Sequence, residues 1–259
     1  MATHKQFYII GDPVSHSVSP RVYRTAFNSH NLVNYNYDTL QVSKDALEKS
    51  LQMLREQRVS GFSVTMPHKE AIIPYLDEVD EIARTIGAVN TVKSVNGKLV
   101  GSNTDWLGIL GPLTNASFSS AVVLGAGGTA KAAIIALKHL NIEKIYVHNR
   151  TKSRAEMLAK QFEIYAGLPE STNLIVNTTP VGMGSLAESS PIAAEYIQEH
   201  MVVFDAVYFP ERTQLLIDAE KAGATTIFGK EMFAYQAQAQ IKALVGVTLS
   251  VAEIQESLK

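Results

Sequence analysis

Hydrophobic and polar positions along this chain fall into short runs and helical spacings that predict most of its elements. Phe7 to Gly11 is an apolar run closed by Gly11-Asp12-Pro13, which reads as a strand entering a loop. Pro20 to His30 then opens a helix, because a proline is tolerated in a first turn whose N–H groups have no intrahelical partner. Tyr35 to Leu40 alternates as a strand, Lys44 to Arg58 places Leu47, Leu51 and Leu54 at helical spacing, and Gly61 to Thr65 is another strand. Ile72 to Ile86 reads as short helices interrupted at Pro74, and Val89 to Val95 with Leu99 to Gly101 reads as a hairpin turning at Asn96-Gly97. A second series begins with a strand at Ala121 to Leu124, a Gly-rich turn, a helix to about Leu140, a strand at Lys144 to His148, a helix at Ser153 to Phe162 and a strand at Leu174 to Val176. Strands at Val202 to Asp205 and Thr225 to Phe228, separated by a helix from Gln214 to Ala222, complete it, and helical spacing resumes after Gly229 through Val245.

Strands alternating with helices predict an α/β fold, since crossover helices are what allow successive strands to run parallel. We expect two lobes: an N-terminal α/β domain of residues 1–104, to which 229–259 returns, and a Rossmann-type, doubly wound parallel sheet over 105–228.

Composition narrows the class of partner. With 259 residues, 46% hydrophobic and 19% charged, the chain has the make-up of a globular protein with a filled core. A formal net charge of -2 without basic clusters gives no reason to invoke nucleic acid or an anionic membrane, so small molecules are the expected partners. With Cys 0 there is neither disulfide nor thiolate metal site, and no apolar stretch approaches the roughly 20 residues of a bilayer span, so a cytoplasmic address is expected. The expected assembly is a monomer or a homodimer. His16 and His68 flank loops without paired metal spacing, and no metal is expected.

Gly125, Gly127 and Ala130 match G-x-G-x-x-G/A between a strand and a helix, with Ala126, Gly128 and Thr129 filling the turn. The first glycine makes the tight turn, the second lets a pyrophosphate approach the backbone, and the small third residue lets helix pack on strand. The same pattern also describes an ordinary Gly-rich turn; its context favours a dinucleotide. The next strand ends at His148-Asn149-Arg150-Thr151, roughly 20 residues on, where an NAD site places an acid for the ribose 2′-hydroxyl. No acid stands there. Asn149, Arg150, Thr151 and Arg154 instead offer an amide, a hydroxyl and guanidinium groups suited to a 2′-phosphate, so NADP is expected over NAD, although Arg154 alone also reads as a solvated helix residue. Lys69 lies at a Pro-punctuated strand end and Asp105 closes Asn103-Thr104-Asp105, a lysine and a carboxylate that can move a proton together. A proton donor beside a hydride donor means carbonyl reduction. An exposed salt bridge is the plainer alternative for this pair.

Gly11-Asp12-Pro13-Val14-Ser15-His16-Ser17-Val18-Ser19-Pro20 resembles the N-terminal motif of the shikimate dehydrogenases, Gly-x-Pro-x-x-His-Ser-x-Ser-Pro. The family's further motifs follow in order at Thr65 to Lys69, Gly87 to Thr91, Asn103 to Asp105, Gly125 to Gly128, Asn149 to Thr151 and Gln236, so the resemblance covers almost the whole chain. It implies reversible NADPH-dependent reduction of 3-dehydroshikimate to shikimate, in aromatic amino acid biosynthesis, with the N-terminal lobe as the substrate domain. By that likeness Ser17 and Ser19 hold the substrate carboxylate, Thr65, Asn90, Tyr208 and Gln236 line the ring, Lys69 and Asp105 are catalytic, and Ala206 and Gly229 join the cofactor residues. Lys69 as an ammonium would protonate the oxyanion during reduction and would have to be neutral for oxidation, so alkaline pH should favour the oxidative direction more than the reductive one. In isolation Ser19 also reads as a helix cap and Ser17 as a turn residue.

Three positions depart from the common bacterial pattern. Ser63 replaces an asparagine, so that a ring hydroxyl would be met through water; Trp106 replaces a small residue; and Ala206 replaces a methionine near the nicotinamide. Ser63 with Pro67-His68-Lys69-Glu70 is more like the dehydrogenase part of the plant dehydroquinase-shikimate dehydrogenase fusions. The alternatives are a quinate/shikimate dehydrogenase using NAD or NADP, and a redox-inactive regulator that binds the metabolite on the same two lobes.

Overall fold

The computed structural model describes residues 4–258. The chain divides into two compact units, Met1–Thr104 with Gln236–Lys259, and Asp105–Tyr235.

The first unit runs β1 (Lys5–Gly11), α1 (Ser19–Ser29), β2 (Tyr35–Gln41), α2 (Leu47–Glu56), β3 (Gly61–Val64), α3 (His68–Ala71), β4 (Glu78–Val79), α4 (Glu81–Ile86), β5 (Thr91–Val95) and β6 (Lys98–Ser102). Its sheet has the order β2-β1-β3-β5-β6-β4. β1 is parallel to both β2 and β3, whereas β5 is antiparallel to both β3 and β6. The antiparallel pair exists because Asn96 (φ 51) and Gly97 (φ 83) both accept the left-handed conformation of a tight hairpin turn. Leu51, Leu54, Phe62, Ile72 and Leu99 meet in the core on one face of this sheet. The stretch expected as short helices differs in detail. Asp77 N donates to Leu99 O at 3.0 Å and Asp80 N to Gly101 O at 3.0 Å, so the chain is drawn onto the edge of β6 before Asp80 caps α4 by accepting from Ala83 N.

The second unit runs α5 (Asp105–Leu113), β7 (Ser120–Leu124), α6 (Gly128–His139), β8 (Lys144–His148), α7 (Lys152–Phe162), β9 (Tyr165–Ala166), β10 (Leu174–Asn177), β11 (Val202–Asp205), α8 (Gln214–Lys221), β12 (Thr225–Ile227) and the start of α9 (Gly229–Val245). Its sheet has the order β12-β11-β10-β7-β8-β9 and every strand pair is parallel. β10 is buried along its whole length and β7 along all but its first residue, as expected of central strands covered on both faces. The order reverses between β7 and β10, the switch point at which ligands bind in such sheets.

The return to the first unit, expected at Gly229, is observed at Gln236, inside α9. The first turns of α9 stay with the second unit because a Cβ on Gly229 would lie 2.4 Å from Val207 O, a backbone approach only glycine allows. α5 was not expected, since Gly108, Gly111 and Pro112 obscure its helical pattern; Gly111 is required there because a Cβ would lie 2.2 Å from the Tyr235 ring. The chain closes with α10 (Val251–Ser257), which opens on a capping box between Ser250 and Glu253. Among the described residues no helix is long and apolar enough to cross a membrane.

Candidate active site

In the first unit the motif residues gather at one end of the sheet. Thr65 N donates to Ile10 O at 2.9 Å and Asp12 N to Met66 O at 2.9 Å, so the chain leaves β1 and β3 side by side. Gly11 permits this, because a Cβ there would lie 2.4 Å from Thr65 Cγ2. The antiparallel hairpin brings two further segments to the same end: Val64 N donates to Asn90 O at 2.8 Å and Asn90 N to Ser102 O at 3.1 Å, so the start of β5 and the end of β6 lie beside the end of β3. Lys69 stands on α3, immediately after that end, and its carbonyl accepts from Val89 N at 2.7 Å. Asn103 Nδ2 donates to Ala88 O at 2.9 Å and fixes the segment before Thr104.

Asn90 and Gln236 meet on Thr104. Asn90 Oδ1 accepts from Thr104 N at 2.9 Å, Asn90 Nδ2 donates to Thr104 Oγ1 at 3.0 Å, and Gln236 Nε2 donates to the same oxygen at 3.1 Å. Thr104 had no assigned role in the sequence; its position inside Asn103-Thr104-Asp105 was the available signal. Ser17 Oγ accepts from Ser19 N at 3.3 Å. Ser19 is a buried first residue of α1 and not its cap, which is Val18 without a side-chain bond. The buried imidazole of His68 lies 2.6 Å from Val42 O, a packing contact that ties α3 to the end of β2. Ser63 differs from expectation. It is only 3% exposed, and its hydroxyl accepts from Tyr37 at 2.7 Å and donates to Gln240 Oε1 at 2.8 Å, so its single proton is spent inside the protein.

In the second unit the Gly-rich turn occupies the switch point. Thr178 N and Oγ1 both donate to Leu124 O, joining the ends of β10 and β7. Gly125, at φ 116, passes so close that a Cβ would lie 2.6 Å from Thr178 Oγ1. Gly127 has nothing within 4 Å of its Cβ position, and α6 starts after it with no side-chain cap and no acidic residue in its first turn. Ala126, Gly128 and Thr129 complete an open cradle of amides, while Ala130 is buried against the sheet. This geometry fits a pyrophosphate. Leu124 is level with His148 on the neighbouring strand, so Asn149, Arg150, Thr151 and Arg154 follow at the same edge. Asn149 Nδ2 donates to Thr151 O at 3.0 Å, shaping this turn, and both arginines are exposed, with no ion pair to a described residue.

Asp105 is buried at the start of α5, and the ring of Trp106 beside it lies 4.8 Å from that of His139, tilted by 51°. Ala206 N donates to Asn177 O at 2.9 Å at the end of β11, Tyr208 is 51% exposed with its ring 6.2 Å from Phe233, and Gly229 packs on the Val207–Tyr208 backbone. At the end of β11 lies a buried carboxylate. Asp205, fully buried, accepts from Asn177 Nδ2 at 2.9 Å, from Val207 N at 2.9 Å and from Thr213 Oγ1 at 2.6 Å. Asn177 Oδ1 in turn accepts from Thr179 N at 3.0 Å, so the carboxylate holds the loops after β10 and β11. Burial pushes the Asp205 carboxyl above its ordinary range, against the pull of those donors. Among the described residues no group of three or more His, Cys, Asp or Glu side chains is placed to hold a metal ion.

Residues 9–92 match the model of the shikimate dehydrogenase substrate binding domain, and residues 112–218 that of shikimate / quinate 5-dehydrogenase. A shikimate dehydrogenase (NADP+) of Maridesulfovibrio salexigens is 37% identical, covering 98% of this chain and 96% of that protein. The bifunctional chloroplastic 3-dehydroquinate dehydratase/shikimate dehydrogenase of Arabidopsis thaliana is also 37% identical, over 94% of this chain and 44% of that protein. Among solved structures, a shikimate dehydrogenase in complex with NADP+ superposes with TM-score 0.93 at 35% identity, covering 100% of this chain and 96% of that one. The shikimate 5-dehydrogenase of Thermus thermophilus, in complex with NADP(H) and shikimate, gives TM-score 0.91 at 34% identity and 98% coverage of both chains. With both units matched and a relative of this identity spanning nearly its full length, the chain belongs to the shikimate dehydrogenase family.

Proposed function

We propose that this chain catalyses the reversible NADPH-dependent reduction of 3-dehydroshikimate to shikimate, a step of aromatic amino acid (chorismate) biosynthesis. The observation that carries this reading is the convergence of Lys69 with the neutral hydrogen-bonding groups of Thr65, Asn90 and Gln236 at one end of the first sheet, a proton source among donors suited to a hydroxylated ring. Ser17 and Ser19 hold the substrate carboxylate, and Tyr208 adds a hydroxyl to the ring. Lys69 as an ammonium gives its proton to the carbonyl oxygen, and Asp105 orients the ammonium and accepts from a substrate hydroxyl. NADPH, when bound, supplies the hydride that reaches the carbonyl carbon. Gly125 to Thr129 cradle its pyrophosphate, Asn149, Arg150, Thr151 and Arg154 take its 2′-phosphate, and Ala206 and Gly229 flank its nicotinamide. A cytoplasmic monomer or homodimer completes this reading.

Quinate is a second candidate substrate, because the model matched by residues 112–218 describes both acids. Comparing the two acids with NADP+ and with NAD+ ranks them. The primary test follows NADPH absorbance with 3-dehydroshikimate. The wild type should consume NADPH, while Lys69→Ala should lose about a hundred- to ten-thousandfold in kcat yet still bind NADPH. A wild type inert toward this ketone would end the assignment, and full turnover by Lys69→Ala would remove the lysine from its role.

A further inference from the structure

Behind the ring-facing residues of the first unit lies a buried polar network in which each group's direction is fixed. Gln240 stands one helical turn beyond Gln236 on α9 and is buried. Its Nε2 donates to Asn90 O at 3.0 Å and to Thr91 Oγ1 at 3.0 Å, while its Oε1 accepts from Ser63 Oγ at 2.8 Å and Tyr23 OH at 3.4 Å. The Asn90 backbone carbonyl can only accept, so it decides which end of the Gln240 amide is nitrogen. Once that is set, Thr91 Oγ1 must accept from Gln240 and is left to donate to Asn90 Oδ1, at 2.7 Å. Asn90 Oδ1 also faces Thr104 N–H, a group that can only donate, so its Nδ2 is left to point at Thr104 Oγ1, where Gln236 also donates. On the other side, Ser63 must give its proton to Gln240 and therefore accepts from Tyr37.

We infer that Gln240 is a positioning residue for substrate recognition: through its bonds to the Asn90 carbonyl and to Thr91, whose hydroxyl donates to Asn90 Oδ1, it holds Asn90 in place without itself touching the ring. The inference rests on the proposed substrate reading. All four hydrogen-bonding valences of the Gln240 amide are used, and a hydrophobic replacement would leave Thr91 and Ser63 each short of a partner and Asn90 O with Val64 N alone, loosening the hold on the Asn90 backbone and on the Thr91 hydroxyl that bonds its side chain. The cofactor cradle belongs to the other unit and contains none of these residues.

The test measures KM for shikimate and for NADP+ separately in Gln240→Met, which keeps side-chain length, and in Thr91→Val, which keeps shape and removes only the link from Gln240 to Asn90 Oδ1. Gln240→Met should raise KM for shikimate about ten- to a hundredfold. Thr91→Val should raise it roughly two- to tenfold. KM for NADP+ should stay within about twofold of wild type in both. An unchanged KM for shikimate in the folded variants, or an equal rise for both substrates, would overturn the inference. Should Gln240→Met not fold, Thr91→Val decides alone. Failure of the wild type to oxidise shikimate would strike the substrate reading instead, so the two failures are distinct.

Discussion

Buried polar groups do different work in the two units. Around Gln240 in the first unit they are amides and hydroxyls, each with its donors and acceptors matched, and their directions are set by backbone groups that have only one role. At the end of β11 in the second unit a buried carboxylate, Asp205, gathers Asn177, Val207 and Thr213. A neutral network aims lone pairs the same way at every ordinary pH, which suits recognition of an uncharged ring. A buried carboxylate holds loops more strongly but makes their stability depend on pH. The contrast extends to the candidate sites: the first unit presents side chains at the ends of strands that meet from both directions, whereas the second presents backbone amides at the start of α6, left open by Gly127.

The largest test of this contrast is Asp205→Ala, which leaves three buried donors without an acceptor and should cost about 3 kcal/mol in urea unfolding. Asp205→Asn supplies the sign of the pH effect. The folded-state carboxyl is raised by burial, so its contribution to stability is complete below its unfolded value of about 4 and is lost as pH rises through the folded value. The stability of Asp205→Asn relative to wild type should therefore improve from about pH 3 to pH 7, and a flat difference would show that the group does not titrate as described. Next in size is Arg150→Ser at the cofactor edge, which should raise KM for NADP+ about ten- to a hundredfold and leave KM for NAD+ nearly unchanged; an equal rise for both would separate Arg150 from the 2′-phosphate. The smallest effect is expected at Asp77 in the first unit, whose carboxyl is held below the usual range by the Leu99 N–H and by Arg55. Its contribution is present above about pH 4 and lost as pH falls through the folded value, the opposite of Asp205. Asp77→Asn should cost less than about 1 kcal/mol at neutral pH, because the pair is exposed, and the deficit should vanish in acid. Unfolding curves collected across pH for both variants check the two signs together.

Most elements were legible in the sequence because their patterns are local. The apolar runs at Phe7 to Gly11 and Ala121 to Leu124, the leucine spacing of α2 and the Asn96-Gly97 turn each depend on a few neighbouring residues, and the strands and hairpin stand where those patterns put them. α5 was hidden because Gly111 within it is chosen by a distant ring, that of Tyr235, and α10 because it is short. β4 was hidden because a two-residue strand is defined by the edge it joins and not by its own composition.

The motifs around Lys69, Asp105 and Gly125, and the absence of an acid at Asn149, were determined by the chain alone, since each is a set of residue types at fixed spacing. Only the tertiary structure decided what Ser63, Thr104, Asp205 and Gln240 do. A hydrogen bond needs a partner at about 3 Å in the right direction, and the partners of these residues come from other strands and helices. Ser63 and Gln240 meet across 177 positions of sequence, so no local pattern could have named them.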